Sequence, residues 1–254
     1  FNGEAITTIA NNEVGDKVFY AMWAANEYTI TYEVAGGLIE DANYKTSYTF
    51  GNETTLPATM SKTGHKFAGW FTNSLFEGSA VTGISATEYG NKTFYAKWNV
   101  NNYKVTLNAN GGTINNGKVS SYIYGTTILL PIDVTKTGYT FNGWYDNAEF
   151  EGEPILTISS TDLGDKTFYA KFSVNTYNVI LVTNEGVINS GNIESYEFGK
   201  GATLPADVTK TGYTFGGWYS NTSYIGGTVS SIADNDMGDK QFWARWKEQD
   251  YPIT

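Results

Sequence analysis

The chain has no cysteine, which excludes disulfide staples, zinc–thiolate sites and a thiol nucleophile together. It has a single histidine, His65. Basic residues are the minority, 16 against 26 acidic, for a formal net charge of −10. Such a field repels phosphate backbones and anionic lipid, so neither nucleic acid nor a membrane surface is an expected partner. Long apolar runs are missing too, and with them any expected membrane span or signal peptide in this stretch. No D-x-D-x-D-G spacing supplies the roughly six oxygen ligands of a calcium loop. Neither a metal site nor a cofactor is expected.

What the chain has is aromatic side chains: 7 Trp, 19 Tyr and 14 Phe. Each ring buries much area for few ordered bonds, which suits a small core. The rings fall in a repeat. Gly138-Tyr139-Thr140-Phe141-Asn142-Gly143-Trp144-Tyr145 returns as Gly64-His65-Lys66-Phe67-Ala68-Gly69-Trp70-Phe71 and as Gly212-Tyr213-Thr214-Phe215-Gly216-Gly217-Trp218-Tyr219. Three copies of one strand mean three copies of one small fold. Strand alternation sets Tyr139, Phe141 and Tyr145 on one face and Trp144 on the other. Burial on both faces is the expectation; the competing one makes the Trp an exposed platform for a sugar or a partner.

The remaining elements recur around that strand. In the first copy Tyr28, Ile30, Tyr32 and Val34 alternate with polar residues, as in a half-buried strand. Gly36-Gly37 breaks it, a second strand lies near Tyr44 to Phe50, and Leu56-Pro57 follows. A short helical turn is expected from Ser85 to Tyr89. The last strand turns Phe94, Ala96 and Trp98 inward and Tyr95 and Lys97 outward. The modules span 28–98, 103–172 and 177–246. Residues 1–24 match the stretch that begins at Phe150 and read as the end of a preceding repeat. Residues 247–254, with Tyr251 and Ile253, open a further one. Lys17 to Trp23 is expected to add a strand to the first module through Phe19, Ala21 and Trp23. Four-residue links reach about 14 Å at most, which favours modules strung end to end in an elongated array.

Little of this looks like chemistry. His65 occupies the slot of Tyr139 and Tyr213, a packing position, and no Ser-His-Asp arrangement fits modules that lack His. Asp16, Asp165, Asp239 and Asn91 follow glycine as turn formers. Lys62, Lys136 and Lys210 share one slot from which an isopeptide link could start, yet no acid catalyst accompanies them. The candidate binding surface is the outward row Tyr20, Tyr95, Tyr169 and Trp243, since exposed aromatics are favoured at recognition sites. Cross-strand packing on a solvated face is the competing account.

The G-Y-x-F-x-G-W-Y strand, the upstream Leu130-Pro131 and the downstream Lys166-Thr167-Phe168-Tyr169-Ala170-Lys171-Phe172 together resemble the Listeria–Bacteroides repeat, the B repeat of internalin B. The resemblance covers essentially the whole chain. His65 in place of Tyr and Phe172 in place of the terminal Trp are its departures. It implies a mainly β or small α+β, β-grasp-like module of about 70 residues, marginal alone at that size. It also implies tandem use on secreted or surface-anchored bacterial proteins, and no catalytic residues. A stalk or spacer at the bacterial cell surface is the expected role; the alternative is an adhesion module that binds a host protein or glycan through exposed aromatics.

Overall fold

Residues 3–250 are described by a computed structural model. Among them there is no helix; the modules are all-β. The chain divides into two compact units between Asn101 and Asn102, the first holding one module and the second two.

Module one contains β1 (Glu27–Glu33), β2 (Leu38–Ile39), β3 (Ser47–Thr49), β4 (Thr54–Thr55), β5 (Met60–Ser61), β6 (His65–Phe71), β7 (Gly83–Ile84) and β8 (Lys92–Val100). Its sheet has the order β3-β1-β8-β6. The central pair β1–β8 is parallel and its flanking pairs are antiparallel. β2–β5 and β4–β7 are short antiparallel ladders beside it. Modules two and three repeat the order with the same pairings. Because the first and last strands of each module are both central, each has neighbours on two sides. The turn formers fix their register. Asn91 Oδ1 accepts from Thr29 N at 3.0 Å, Asp165 Oδ1 from Lys104 N at 2.8 Å and Asp239 Oδ1 from Asn178 N at 2.8 Å. Each bond joins the turn before the last strand to the first strand, where the parallel ladder begins.

Each module closes its own core. In module two Val105, Tyr122, Leu130, Val134, Trp144, Ile158, Phe168 and Ala170 are buried together, with matching sets in the others. The Leu-Pro pair acquires a reason: Leu130 enters the core and the Pro131 carbonyl accepts Trp144 Nε1–H at 2.6 Å. Trp70 and Trp218 bond Pro57 and Pro205 in the same way, each at 2.7 Å. A buried indole N–H needs such an acceptor. The exposed-platform account of the Trp is thereby overturned.

Three expectations are corrected. Phe141 and Trp144 do not face apart; both belong to the core, their rings 5.7 Å apart. Pairing with the last strand slips between Phe141 and Gly143, a bulge that re-aims the side chains after it. Gly143, at φ 114°, supplies the backbone that this slip requires. The helical turn at Ser85 is a β-turn closed by Glu88 N to Ser85 O at 3.0 Å. Only seven residues separate β7 from β8, too few to repay helix nucleation, so the α component of the β-grasp-like expectation is missing.

The third correction concerns the N-terminal segment. Lys17 to Trp23 adds no strand, and Trp23 is 89% exposed. Its slot in module one is already filled by Phe94, Ala96 and Trp98 of β8. Local features persist without the module: Glu13 N bonds Ala10 O at 3.0 Å, as Asp162 N bonds Ser159 O at 3.1 Å, and Lys17 pairs with Glu13 as Lys166 does with Asp162. Phe1, Tyr251 and Ile253 lie outside the described residues.

Tyr48, Tyr122 and Tyr196 carry a testable pH dependence. Each buried ring donates its hydroxyl to a glycine carbonyl, of Gly90, Gly164 and Gly238, at 2.6–2.7 Å. Burial pushes all three hydroxyls above the ordinary tyrosine value; Asp162 and Asp236 add to the effect at Tyr122 and Tyr196. Tyr32, packed on Trp70 at 5.0 Å, is pushed up to about 12 by burial and by Tyr44. Unfolded tyrosines ionise near about 10. Above that pH the unfolded chain holds fewer protons than the native one, so stability falls as pH rises. The melting temperature should fall as pH rises from 10 to 12, with part of the tyrosinate absorbance appearing only on unfolding. A flat profile to pH 12 would show that these hydroxyls ionise freely in the native state.

Candidate functional site

Three members of the outward row, Tyr95, Tyr169 and Trp243, lie on the sheet face opposite the core, and the structure shows what accompanies them. Directly across from Tyr95, Tyr169 and Trp243 stand Phe71, Tyr145 and Tyr219 of the Gly-Trp strand. Those partners are buried although they point away from the main core. They are covered by Phe76, Phe150 and Tyr224 from the following loop, in edge-to-face contact at 5.6, 5.8 and 5.6 Å. A cation closes each group: Lys97 Nζ lies 5.1 Å from the Phe71 ring, Lys171 Nζ 4.9 Å from Tyr145, and the Arg245 guanidinium 5.7 Å from Tyr219. Stacked cations of this kind contribute about 0.5–1 kcal/mol each at exposed sites.

The covering rings sit on strained backbone. Phe76, Phe150 and Tyr224 have φ of 58°, 58° and 53°, a conformation that bulky residues avoid. An asparagine three positions earlier holds each loop. Asn147 Oδ1 accepts from Glu151 N at 2.9 Å while its Nδ2 donates to Glu151 O at 3.0 Å; Asn73 and Asn221 act alike. Sequence reasoning missed this device, although the spacing N-x-x-F/Y, present at 73, 147 and 221, is its signal.

Tyr95, Tyr169 and Trp243 are thus half-buried members of three separate clusters. Tyr20, 77% exposed, lies in the N-terminal segment outside any module. The shared lysine slot also has a structural partner. Lys62, Lys136 and Lys210 Nζ donate to the carbonyls of Ala35, Asn110 and Asn184 at 2.8–3.0 Å, each the left-handed residue of a turn. His65 Nδ1 lies 2.8 Å from the Thr63 carbonyl. Among the described residues no polar or charged side chain other than Tyr and Trp is buried, and no three His, Asp or Glu side chains converge to hold a metal ion. No helix there is long and apolar enough to cross a membrane.

The family model of the Listeria-Bacteroides repeat domain matches residues 28–97, 103–171 and 177–245. Among curated proteins, one named as a Gly-rich membrane protein of Evansella cellulosilytica is 31% identical over 243 residues, 92% of this chain and 26% of its own. One named as a membrane protein of the same organism is 32% identical over 245 residues, 92% of this chain and 34% of its own. Internalin H of Listeria monocytogenes is 31% identical over 145 residues, 54% of this chain and 24% of its own. The chain spans about a quarter to a third of the length of these relatives.

Proposed function

The chain belongs to the Listeria-Bacteroides repeat domain family, and from that premise we propose that it is a non-enzymatic spacer of a bacterial surface or secreted protein. One observation carries this reading: the recurring lysine, Asp or Asn turn, tryptophan and cation–ring contacts are each made inside a single module. The lysines cap turns, the Asp and Asn residues fix strand register, the tryptophan N–H groups meet proline carbonyls, and the second aromatic cluster is closed by its own cation. The names of the relatives, two membrane proteins and internalin H, support a place at the cell envelope. Under this proposal residues 1–24 and 247–254 belong to neighbouring repeats, and the β-grasp-like comparison describes only the sheet.

The adhesion alternative would use Tyr95, Tyr169 and Trp243 on a host protein or glycan. A single experiment separates the two. The chain is displayed between a surface anchor and a terminal epitope, with one, two or three modules. A spacer predicts that access of a bulky antibody to the epitope rises with module number and is unchanged when Tyr95, Tyr169 and Trp243 become serine. Access indifferent to module number overturns the spacer. Binding of the chain to host cells or a glycan array that disappears with the serine variants supports adhesion.

A further inference from the structure

The three modules serve as internal controls for one another, and at one place the second departs from both of its neighbours. Leu129, Ile132 and Leu156 are 75%, 79% and 65% exposed. Module one has Thr55, Ala58 and Thr82 at these positions, and module three has Thr203, Ala206 and Ser230, all of them exposed as well. Small or hydroxyl-bearing residues are what a solvated surface calls for. Large aliphatic side chains at all three positions of one module are not scattered single exposures, which would need no account.

The three converge. Together with Leu130 and Pro131 they line one apolar groove of about 420 Å³. A backbone bond from Leu130 N to Leu156 O, 2.9 Å, holds its two sides together. A contiguous exposed apolar patch marks an interaction site, and this size suits a few side chains of a partner.

Charge indicates what kind of partner. Asp133 lines the groove and no Lys or Arg does; Lys118 adjoins it in sequence. The loop that leads into Leu156 carries Asp146, Glu149, Glu151 and Glu153, all exposed. The same places hold Thr72, Leu75, Glu77 and Ser79 in module one and Ser220, Ser223, Ile225 and Gly227 in module three. The acidic loop and the apolar groove are therefore specific to the same module. We propose that the second module carries a docking groove for a short partner segment in which aliphatic side chains are flanked by Lys or Arg. The apolar side chains fill the groove; Asp133 on its lining, and the acidic run 146–153 that leads in sequence to Leu156, favour the basic flanks. This goes beyond the spacer reading and stands independently of it.

The test uses the whole chain and two synthetic peptides, one alternating leucine with lysine and one alternating leucine with glutamate. Methyl NMR of Leu129, Ile132 and Leu156 reports occupancy. The lysine peptide is expected to bind at least tenfold more tightly than the glutamate peptide and to leave the methyl signals of the other two modules in place. The triple variant Leu129→Thr, Ile132→Ala, Leu156→Ser takes its residues from module three and keeps every charge. It should lose the binding; Ile132→Ala alone, at the most exposed position, provides the same comparison should the triple variant not fold. Binding that survives these substitutions is general attraction to an acidic protein and overturns the proposal. Equal binding of both peptides, or no binding by either, overturns it too. Self-association in sedimentation that the variant abolishes would assign the groove to a second copy instead.

Discussion

Trp144→Ala is expected to unfold the second module while leaving the first folded. The Trp144 ring is 2% exposed and sits among Val105, Phe141, Ile158 and Phe168. Truncating such a ring costs about 3–5 kcal/mol in transfer and cavity terms. It also leaves the Pro131 carbonyl without its donor, a further penalty of about 1–3 kcal/mol. At roughly 0.05–0.15 kcal/mol per residue, a module of about 70 residues has only about 4–10 kcal/mol to lose. Two-dimensional NMR should show the dispersed signals of residues 103–172 collapse while those of residues 28–98 keep their positions. Trp144→Phe is the milder change, because it keeps a six-membered ring in the core and removes the pyrrole part of the indole with its N–H. That variant should stay folded with a lowered melting temperature. Trp144→Ala melting like the wild type would mean that the core is not organised around this residue.

How much of this was legible in the sequence depends on what each feature needs to be seen. Tyr122 and Trp144 recur at fixed spacing, so repetition alone marks them as core positions, and strand periodicity places Phe94 and Ala96 correctly. The bulge at Gly143 was not legible. Alternation presumes an unbroken pleat, and one extra residue exchanges the faces of everything beyond it. The second aromatic cluster was hidden for a related reason. Phe150 reaches Tyr145 only from left-handed backbone, and a phenylalanine in a polar loop gives no sign of that conformation; the asparagine three residues earlier does. The misplaced strand at Lys17 to Trp23 has another origin. Its residues are as apolar as those of Lys166 to Phe172, but a central strand needs two neighbours, and both places in module one are taken. The groove of module two was legible only as a difference between repeats, which the similarity of the repeats conceals.

Gly138→Ala should cost more than the same change at Gly212, and the difference should report on the junction between modules two and three. Both glycines lie in the left-handed region, at φ 76° and 79°, so an alanine at either carries a similar strain of about 1–2 kcal/mol. Both carbonyls accept one backbone bond from the residue after the last strand: Asn175 N at 2.9 Å for Gly138 and Gln249 N at 3.0 Å for Gly212. The surroundings differ. A Cβ on Gly138 would fall 2.1 Å from Phe198 Cδ1 of module three, whereas one on Gly212 would meet nothing within 4 Å. Phe198 is held there by its edge-to-face contact with Tyr139, at 6.0 Å, and by its N–H on the Asn175 carbonyl, at 3.0 Å. Asn175 is in turn bonded by Thr140 Oγ1 at 2.6 Å. Displacing the ring adds an overpacking cost of about 1–3 kcal/mol and should separate the unfolding of the two modules in calorimetry. Phe198→Ala removes the obstacle, so in the double variant Gly138→Ala should cost no more than Gly212→Ala does. Contacting residues couple in this way, and distant ones add. If Gly138→Ala and Gly212→Ala are equally destabilising with Phe198 present, the ring gives way freely and does not couple the two modules.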